Sequence, residues 1–364
     1  MKRRRFLKTA GLTGGALAAL GIGGTALARR VNRYYEGPAS DHFDGTHFFN
    51  PDGVEPKGFV DLLKWQLGGG RKVWPEQFPS TFRDVPPERV EGAELRVSFV
   101  GHATMLVQVA GLNILTDPVW SQRASPVAFA GPKRVNAPGI AFDDLPKIDA
   151  VLLSHNHYDH LDGETLSRLA ATHDPLVVTP LGNDTILASI DPAIRTVVGD
   201  WGDTVELADG VTVRFEPAHH WSARGLADRR HALWAAFVLD AGAAGRIYHV
   251  GDTGFHRGIN YEAARAKYGS FRLAILPFGA FEPRGFMRGQ HQNPDEAVQG
   301  HLLCGAEHTL GHHWGTFQLT NESIEDQIEE LRAAREKHNV AEDRFRRLMP
   351  GAAWDVPLAA PNTA

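Results

Sequence analysis

The chain has 364 residues, of which 43% are hydrophobic and 22% charged, a composition typical of a globular protein. Thirty-eight basic and 43 acidic residues give a formal net charge of −5, which excludes the global positive field that attracts nucleic acid. The single cysteine, Cys304, excludes a disulfide framework and a cysteine-ligated metal site, and leaves 18 histidines as candidate ligands.

The first element is a predicted export signal over residues 1–28. After Arg3–Arg5 and Lys8 the chain carries no charge from Thr9 to Ala28 and is rich in glycine and alanine. Adjacent arginines followed by Phe-Leu-Lys resemble the twin-arginine signal, and Ala26-Leu27-Ala28 supplies a small-residue cleavage site. We expect export of the folded protein to the periplasm or cell envelope, with an uncleaved membrane anchor as the alternative.

Residues 29–94 are rich in proline, glycine and aromatic residues, and we expect them to form an extension that packs on the core, with one helix over 58–67. Residues 95–350 form the predicted core domain, and 351–364 a C-terminal tail. Predicted strands cover 95–100, 104–109, 112–115, 150–154, 176–179, 211–215, 233–239, 246–250 and 273–276. Predicted helices cover 163–172, 261–268, 294–303 with Asn293 as cap, and 321–338. This alternation indicates an α/β fold in one compact domain.

A dense group of polar residues follows the predicted strand over 150–154. His155, His157, Asp159 and His160 lie within six residues, and the alternation of side chains lets His155 and His157 project the same way. Imidazole and carboxylate are the ligands that zinc and similar divalent metals use. A purely structural role at the strand end is the alternative, but so many buried polar groups are costly without a cation.

Further candidate ligands follow later predicted strands. His219-His220 comes after the strand over 211–215, Asp252 follows 246–250, and His312-His313 follows the short apolar pair Thr309-Leu310. Polar groups just beyond strand ends are where α/β folds place their chemistry. In both histidine pairs the spacing leaves open which member faces the site.

The pattern His-x-His-x-Asp-His over His155–His160 resembles the signature of the metallo-β-lactamase superfamily. The wider sequence resembles a bacterial member of the N-acylphosphatidylethanolamine-hydrolysing phospholipase D family. The matching segments span about residues 97–322 and include Gly101-His102-Ala103-Thr104, Gly131-Pro132-Lys133-Arg134, Glu282-Pro283-Arg284 and His313-Trp314-Gly315-Thr316-Phe317. The resemblance implies that residues 95–350 form a hydrolase domain with an αββα sandwich, in which two mixed β-sheets are flanked by helices.

The resemblance also implies the roles of individual residues. One zinc would be held by His155, His157 and His220, the other by Asp159, His160 and His313, with Asp252 bridging both. His220 and His313 are chosen over His219 and His312 because each directly precedes the tryptophan of the family pattern. The residues expected to be catalytic are Asp159, Asp252 and His291, and those expected to support the ligands or meet the substrate are Asp117, Gln290 and Arg284.

The function implied is a dinuclear-zinc phosphodiesterase of phospholipase D type, which uses metal-activated hydroxide to hydrolyse N-acylphosphatidylethanolamine-like phospholipids to N-acylethanolamine and phosphatidic acid. Other divalent metals could replace zinc. The partners expected are membrane phospholipid, the membrane surface and a second copy of the chain in a homodimer, with no nucleic acid. The alternatives are a lactonase or another phosphodiesterase on the same fold and, further away, a noncatalytic envelope protein.

Overall fold

The computed structural model describes residues 31–53 and 55–358, so the predicted export signal over 1–28 lies outside the described residues. The first sheet contains β1 (Leu95–Gly101), β2 (Thr104–Val109), β3 (Leu112–Thr116), β4 (Ala150–Leu152), β5 (Leu176–Pro180), β6 (Thr196–Gly199) and β14 (Ala353–Asp355). Their order is β14-β1-β2-β3-β4-β5-β6. Pairing is antiparallel from β14 to β3 and parallel from β3 to β6, so this sheet is mixed.

The second sheet has the same mixed character. It contains β7 (Thr204–Ala208), β8 (Val211–Glu216), β9 (Ala236–Asp240), β10 (Arg246–His249), β11 (Phe271–Pro277), β12 (Ala306–His312) and β13 (Phe345–Arg347). Their order is β13-β12-β11-β10-β9-β8-β7, parallel from β10 to β13 and antiparallel from β7 to β10. In both sheets the strands that precede the histidine motifs therefore run in the same direction.

Seven α-helices lie among the described residues. They are α1 (Phe59–Gly68), α2 (Gly163–His173), α3 (Asn183–Ile190), α4 (Ile259–Tyr268), the short α5 (Arg284–Met287), α6 (Pro294–Cys304) and α7 (Ile324–Lys337). At the start of α6 the side chain of Asn293 accepts from the Glu296 amide at 2.9 Å, as the sequence predicts. Ser323 caps α7 in the same way, accepting from the Asp326 amide at 3.1 Å.

Alternation of side chains along the strands builds the layers of the sandwich. Met105 and Val107 of β2 belong to a buried cluster that also contains Phe215, Phe237 and Ile275 of the second sheet. Leu106, between them, belongs instead to a cluster with side chains of α2 and α3. Tyr248 and Leu276 similarly join α4 on the outer face of the second sheet. The layers are thus helix, sheet, sheet, helix, and the predicted αββα sandwich of two mixed sheets is confirmed.

Several boundaries differ from the sequence interpretation. β4 ends at Leu152, two residues before the predicted limit, because Ser154 and His155 bond to side chains of the site rather than to a strand. Part of the predicted tail, Ala353–Asp355, forms the edge strand β14 against β1. The helix expected over 321–338 begins at Ile324, after its Ser323 cap. Strands β6, β7 and β13 and helices α3 and α5 were not predicted, and of β12 only the apolar pair Thr309-Leu310 was identified.

The predicted extension lies against the core domain. Phe43 and Phe48 are buried with Tyr248 of β10 and with Trp234, which lies just before β9. Trp74 is buried as well, and its indole Nε1 donates to the Glu322 carbonyl at 2.8 Å. Helix α1 contacts α5 through the rings of Trp65 and Phe286, whose centroids are 4.9 Å apart. No helix among the described residues is long and apolar enough to cross a membrane.

Candidate metal centre

The ends of six strands meet at one edge of the sandwich. In the first sheet, β1, β3 and β4 run in the same direction and are followed by His102, Asp117 and the 154–160 segment. In the second sheet, β8, β10 and β12 lead to the His219-His220 pair, Asp252 and His313. A β-bridge between His102 and Trp314 joins the two sheets at this edge. Residues that are far apart in the sequence thus share one buried site.

Three imidazoles form the first part of the site. The Nε2 atoms of His155 and His220 lie 2.9 and 3.2 Å from Nδ1 of His157. These separations are close to the distance of about 3.3 Å between two ligands on a tetrahedral zinc with bonds of about 2.0–2.1 Å. His155 and His220 are almost completely buried, so no bulk water reaches their ring nitrogens.

A second group surrounds Asp159. Its Oδ2 atom lies 2.9 Å from Nε2 of His102, 3.2 Å from Nε2 of His313 and 3.5 Å from Nε2 of His160. Oδ2 of Asp252 lies 3.2 Å from Nε2 of His313 and 3.3 Å from Nε2 of His160. The same Asp252 oxygen is 3.7 Å from Nε2 of His220, so this carboxylate contacts both groups.

Neighbouring acceptors orient the imidazoles. Asp117, completely buried, accepts from Nδ1 of His160 at 2.8 Å and from the amide and hydroxyl of Ser154. Because the Ser154 hydroxyl donates to Asp117, it accepts from Nδ1 of His155 at 2.9 Å. The Gln290 carbonyl accepts from Nδ1 of His220 at 3.0 Å. In each case the Nδ1 hydrogen is directed outwards, which leaves the Nε2 lone pair pointing into the site.

The residues present fit divalent metal ions. The inward-facing lone pairs of His155, His160 and His220 repel one another unless a cation lies between them. Two of the ligand groups carry a buried atom with no hydrogen-bond partner, namely Nε2 of His160 and Oδ1 of Asp252. Nitrogen and carboxylate oxygen together are the donor set of zinc and related metals.

Burial and neighbouring charges shift the pKa values of the titratable groups of the site in both directions. Burial and the neighbouring imidazoles lower the pKa of His157 to about 3, and burial lowers the pKa of His220 to about 4. Burial also disfavours charge on Asp252, but the imidazoles of His313 and His160 outweigh it and hold the carboxyl pKa well below its usual range. For His313 the Asp252 carboxylate outweighs burial and raises the pKa to about 9. Burial opposes the charge on Asp159 as well, but neighbouring imidazoles, above all His160, hold its carboxyl pKa well below its usual range, so Asp159 and Asp252 are both ionised at neutral pH.

His291, Gln290 and Arg284 lie on one side of the cluster. Nδ1 of His291 is 3.8 Å from Oδ2 of Asp252, and its ring centroid is 5.1 Å from that of His220. Arg284 donates to the His291 carbonyl at 2.9 Å and pairs with Glu296 at 2.6 Å. Arg284 therefore holds the His291 segment in place and also lines the neighbouring cleft, and its predicted role in supporting a ligand or meeting the substrate stays a prediction.

The structure separates the members of both histidine pairs. His220 and His313 lie in the cluster. His219 instead faces Asp52 and Asn260, at 3.5 and 3.0 Å. His312 packs against His249, with ring centroids 5.6 Å apart.

Sequence reasoning missed His102. Its position directly after β1, in the quoted segment Gly101-His102-Ala103-Thr104, is the signal that could have found it.

A cleft of about 720 Å³ opens beside the cluster. Gln290, Arg284 and Phe286 form its wall on the side of α5. Its other charged lining residues are Glu55, Lys57, Arg257, Arg288, Asp295 and Glu296. The cleft is therefore amphiphilic, with charges of both signs beside an aromatic ring.

Comparisons with known proteins agree with this geometry. Residues 112–314, more than half of the chain, match the Beta-lactamase superfamily domain. The chain is 38% identical over 276 residues to N-acyl-phosphatidylethanolamine-hydrolyzing phospholipase D 1 of Caenorhabditis elegans, covering 72% of this chain and 76% of that protein. It is 34% identical over 333 residues to an uncharacterised protein of Mycobacterium tuberculosis, covering 90% of this chain and 86% of the relative. A solved metallo hydrolase from Ignicoccus hospitalis superposes with a TM-score of 0.54 at 17% identity, over 73% of this chain and all of that one.

Proposed function

This chain belongs to the metallo-β-lactamase superfamily of metal-dependent hydrolases, and we propose that it is a dinuclear-zinc phosphodiesterase of phospholipase D type. Its substrate is an N-acylphosphatidylethanolamine-like phospholipid, which it hydrolyses to N-acylethanolamine and phosphatidic acid. The observation that carries the proposal is that one carboxylate, Asp252, contacts ligands of two histidine groups. A relative of 38% identity is named for this substrate, which supports the same choice here.

In this proposal the two groups hold one cation each and share Asp252. His155, His157 and His220 form one set, and Asp159, His160 and His313 the other, with His102 beside Asp159. When bound, two such cations would activate water near neutral pH and stabilise both the attacking and the leaving oxygens of an in-line displacement. Asp117 holds the orientation of the His160 ring, and the Gln290 carbonyl holds that of the His220 ring.

The chain's own polar groups then act on the substrate. Nδ1 of His291 is buried, has no partner and lies beside Asp252, so it is available to a phosphoryl oxygen. Burial lowers the pKa of His291 well below its usual value, so the ring is neutral and can present a single N–H to that oxygen. Arg284, through its bond to the His291 carbonyl, keeps this imidazole beside Asp252.

The surface beside the cleft suits a substrate that resides in a membrane. Helix α1 exposes Val60, Leu63 and Leu67, with exposed fractions of 62, 48 and 78%. Trp65 on the same helix packs on Phe286, which lines the cleft. Apolar side chains beside a charged cleft would insert into the membrane interface, while the phosphate group of the lipid reaches the histidine and aspartate cluster.

The second candidate is a lactonase or a phosphodiesterase that acts on smaller substrates. The charged lining of the cleft favours it, since Glu55, Lys57, Arg257 and Arg288 would face the acyl chains of a diacyl phospholipid. The Asp252 bridge is equally useful to this chemistry, so the substrate alone separates the two candidates.

A comparison of substrates tests the proposal. The metal-loaded protein is assayed with N-acylphosphatidylethanolamine in mixed micelles, with an aliphatic lactone and with bis(p-nitrophenyl) phosphate, and chelated protein serves as the control. We expect kcat/KM for the phospholipid to exceed the other two values by at least about tenfold. A tenfold difference corresponds to about 1.4 kcal/mol of extra binding to the phospholipid in the transition state. A higher kcat/KM for the lactone or the small diester would overturn the phospholipid assignment and leave the metal site intact.

A further inference from the structure

A second cluster of possible ligands lies outside the metal centre described above. It contains Asp52 from the extension, His219 from the segment after β8 and His256 from the segment after β10. Their ligand atoms all lie within 4.8 Å of one another. The rings of His219 and His256 are 4.4 Å apart between centroids, and the His219 side chain is only 4% exposed.

The contacts within this cluster are those of ligands rather than of a hydrogen-bonded pair. Nε2 of His219 lies 3.5 Å from Oδ1 of Asp52, longer than the usual N–H···O distance of about 2.9–3.0 Å. Two ligands on a tetrahedral zinc are about 3.3–3.4 Å apart. Nε2 of His256 is buried and has no hydrogen-bond partner.

Asn260 can orient His219 for a metal. Its amide nitrogen lies 3.0 Å from Nδ1 of His219. The oxygen and nitrogen of a carboxamide are assigned from the hydrogen-bond network, so a rotated Asn260 can accept from the Nδ1 hydrogen. The Nε2 lone pair of His219 would then face Asp52 and His256, in the arrangement that protein acceptors impose on metal-bound histidines.

We propose that Asp52, His219 and His256 bind a third divalent cation of the zinc class, with solvent in the remaining position. Two imidazoles and one carboxylate are a known ligand set for this ion. The site is separate from the two-group centre and does not depend on the proposed substrate.

The cation would join three segments of the chain beside the two-group centre. The His219 amide donates to the Thr253 hydroxyl at 2.9 Å, and the Gly254 amide donates to the His219 carbonyl at 2.8 Å. Asn50, close to Asp52, donates to the His220 carbonyl at 3.0 Å. Binding at this cluster therefore fixes the extension to the two segments that carry His220 and Asp252.

Metal stoichiometry tests the proposal. Stripped protein is dialysed against buffered free zinc, and bound metal is measured by inductively coupled plasma mass spectrometry for the original chain, Asp52→Asn and His256→Gln. We expect each variant to bind one equivalent less than the original chain at the same free zinc concentration. His173→Gln, which replaces a half-buried histidine far from the cluster, should keep the original number. Equal stoichiometry in the original chain and both variants would overturn the proposal.

Limited proteolysis gives a second readout that does not depend on activity. Zinc should slow cleavage within residues 31–58 at least about fivefold in the original chain and in His173→Gln, because occupancy stabilises the bound form. It should slow cleavage of the two cluster variants less, because they keep the two-group centre but lack the third site. Asp52 is 61% exposed, so Asp52→Asn removes no buried contact and keeps the test valid should His256→Gln fail to fold. Equal zinc protection of Asp52→Asn and the original chain would contradict the proposal that a cation at this cluster holds the extension in place.

Discussion

At the scale of single residues, the candidate metal centre contains two carboxylates, Asp159 and Asp252, whose roles the sequence spacing alone does not distinguish. Asp252 contacts His160, His313 and His220, whereas Asp159 contacts only the second group and His102. The dense motif over His155–His160 is readable because its ligands are close in sequence. His102 is not, because a lone histidine after a strand has no local pattern, and only the pairing of the two sheets brings it to Asp159.

Replacing Asp252 tests the bridging contact. We expect Asp252→Ala to lower kcat/KM by about a thousandfold or more, because the transition state would lose several kcal/mol of metal-based stabilisation. Metal content should fall below that of the original chain. Asp209→Ala, at an exposed carboxylate in the turn between β7 and β8, is the matched control and should change neither value. Full activity of Asp252→Ala with full metal content would be incompatible with a shared carboxylate.

Asp117 acts through His160. In Asp117→Asn the amide group would present hydrogens to His160 and Ser154, both of which donate to the carboxylate in the native chain. We expect a 10- to 100-fold weakening of metal affinity, the usual effect of losing such a partner, measured by competition with a chromophoric chelator. Unchanged affinity would assign Asp117 to the turn before Pro118 only. Asp209→Asn serves as control.

At the scale of elements, most strands with strong apolar alternation were predicted within one to three residues, whereas the short or exposed strands were not predicted. β2 was predicted over its full length because Met105, Val107 and Val109 alternate with the side chains of the outer face. β7 was missed because its residues are exposed or only half-buried at an end of the sheet, which leaves no apolar pattern to read. β14 is a three-residue strand held by pairing with β1, which a local pattern does not encode.

Helix α1 provides a test of membrane contact. The double variant Val60→Asp/Leu67→Asp places charge on its exposed apolar side chains, so we expect at least a tenfold loss of activity on phospholipid vesicles. Activity on a short-chain, monomeric substrate should stay within about twofold, because neither residue lines the cleft. Leu302→Asp, at a 44% exposed position on α6, is the control. Equal losses on vesicles and on monomeric substrate would exclude α1 as the membrane contact.

The attachment of the extension should depend on pH through His42. Its ring bonds to Asp200 at 2.7 Å and to Asp41 at 2.6 Å, and although burial opposes the charge, these carboxylates raise the pKa of His42. A raised pKa in the folded state means that the stabilisation is complete below the unfolded value of about 6.5. It is lost as the pH rises through the folded pKa.

The difference in free energy of unfolding between the original chain and His42→Gln measures this effect. We expect the difference to be larger at pH 6 than at pH 9, by urea titration at both values. A difference that does not change over this interval would show that His42 stabilises the extension by packing alone, through its ring contact with Trp201.

At the scale of the whole molecule, the fold class was readable but the strand order was not. The alternation of strands and helices, with motifs beyond the strand ends, predicts an α/β fold with its chemistry at one edge. The order β14-β1-β2-β3-β4-β5-β6 depends on pairing between segments more than 250 residues apart, such as Arg96 with Asp355. His219 and His256 likewise come together only through the pairing of strands in the second sheet, and Asp52 reaches them only through the packing of the extension.

The proposed function requires that the oxygen of water becomes bonded to phosphorus while the P–O bond to the N-acylethanolamine breaks; the residues around Asp252 would hold the cations that activate this water. Mass spectrometry of the products formed in ¹⁸O-labelled water tests this claim most directly. We expect one labelled oxygen in phosphatidic acid, none in N-acylethanolamine, and no products from chelated protein. Label in the N-acylethanolamine, or unchanged turnover after chelation, would contradict the claim.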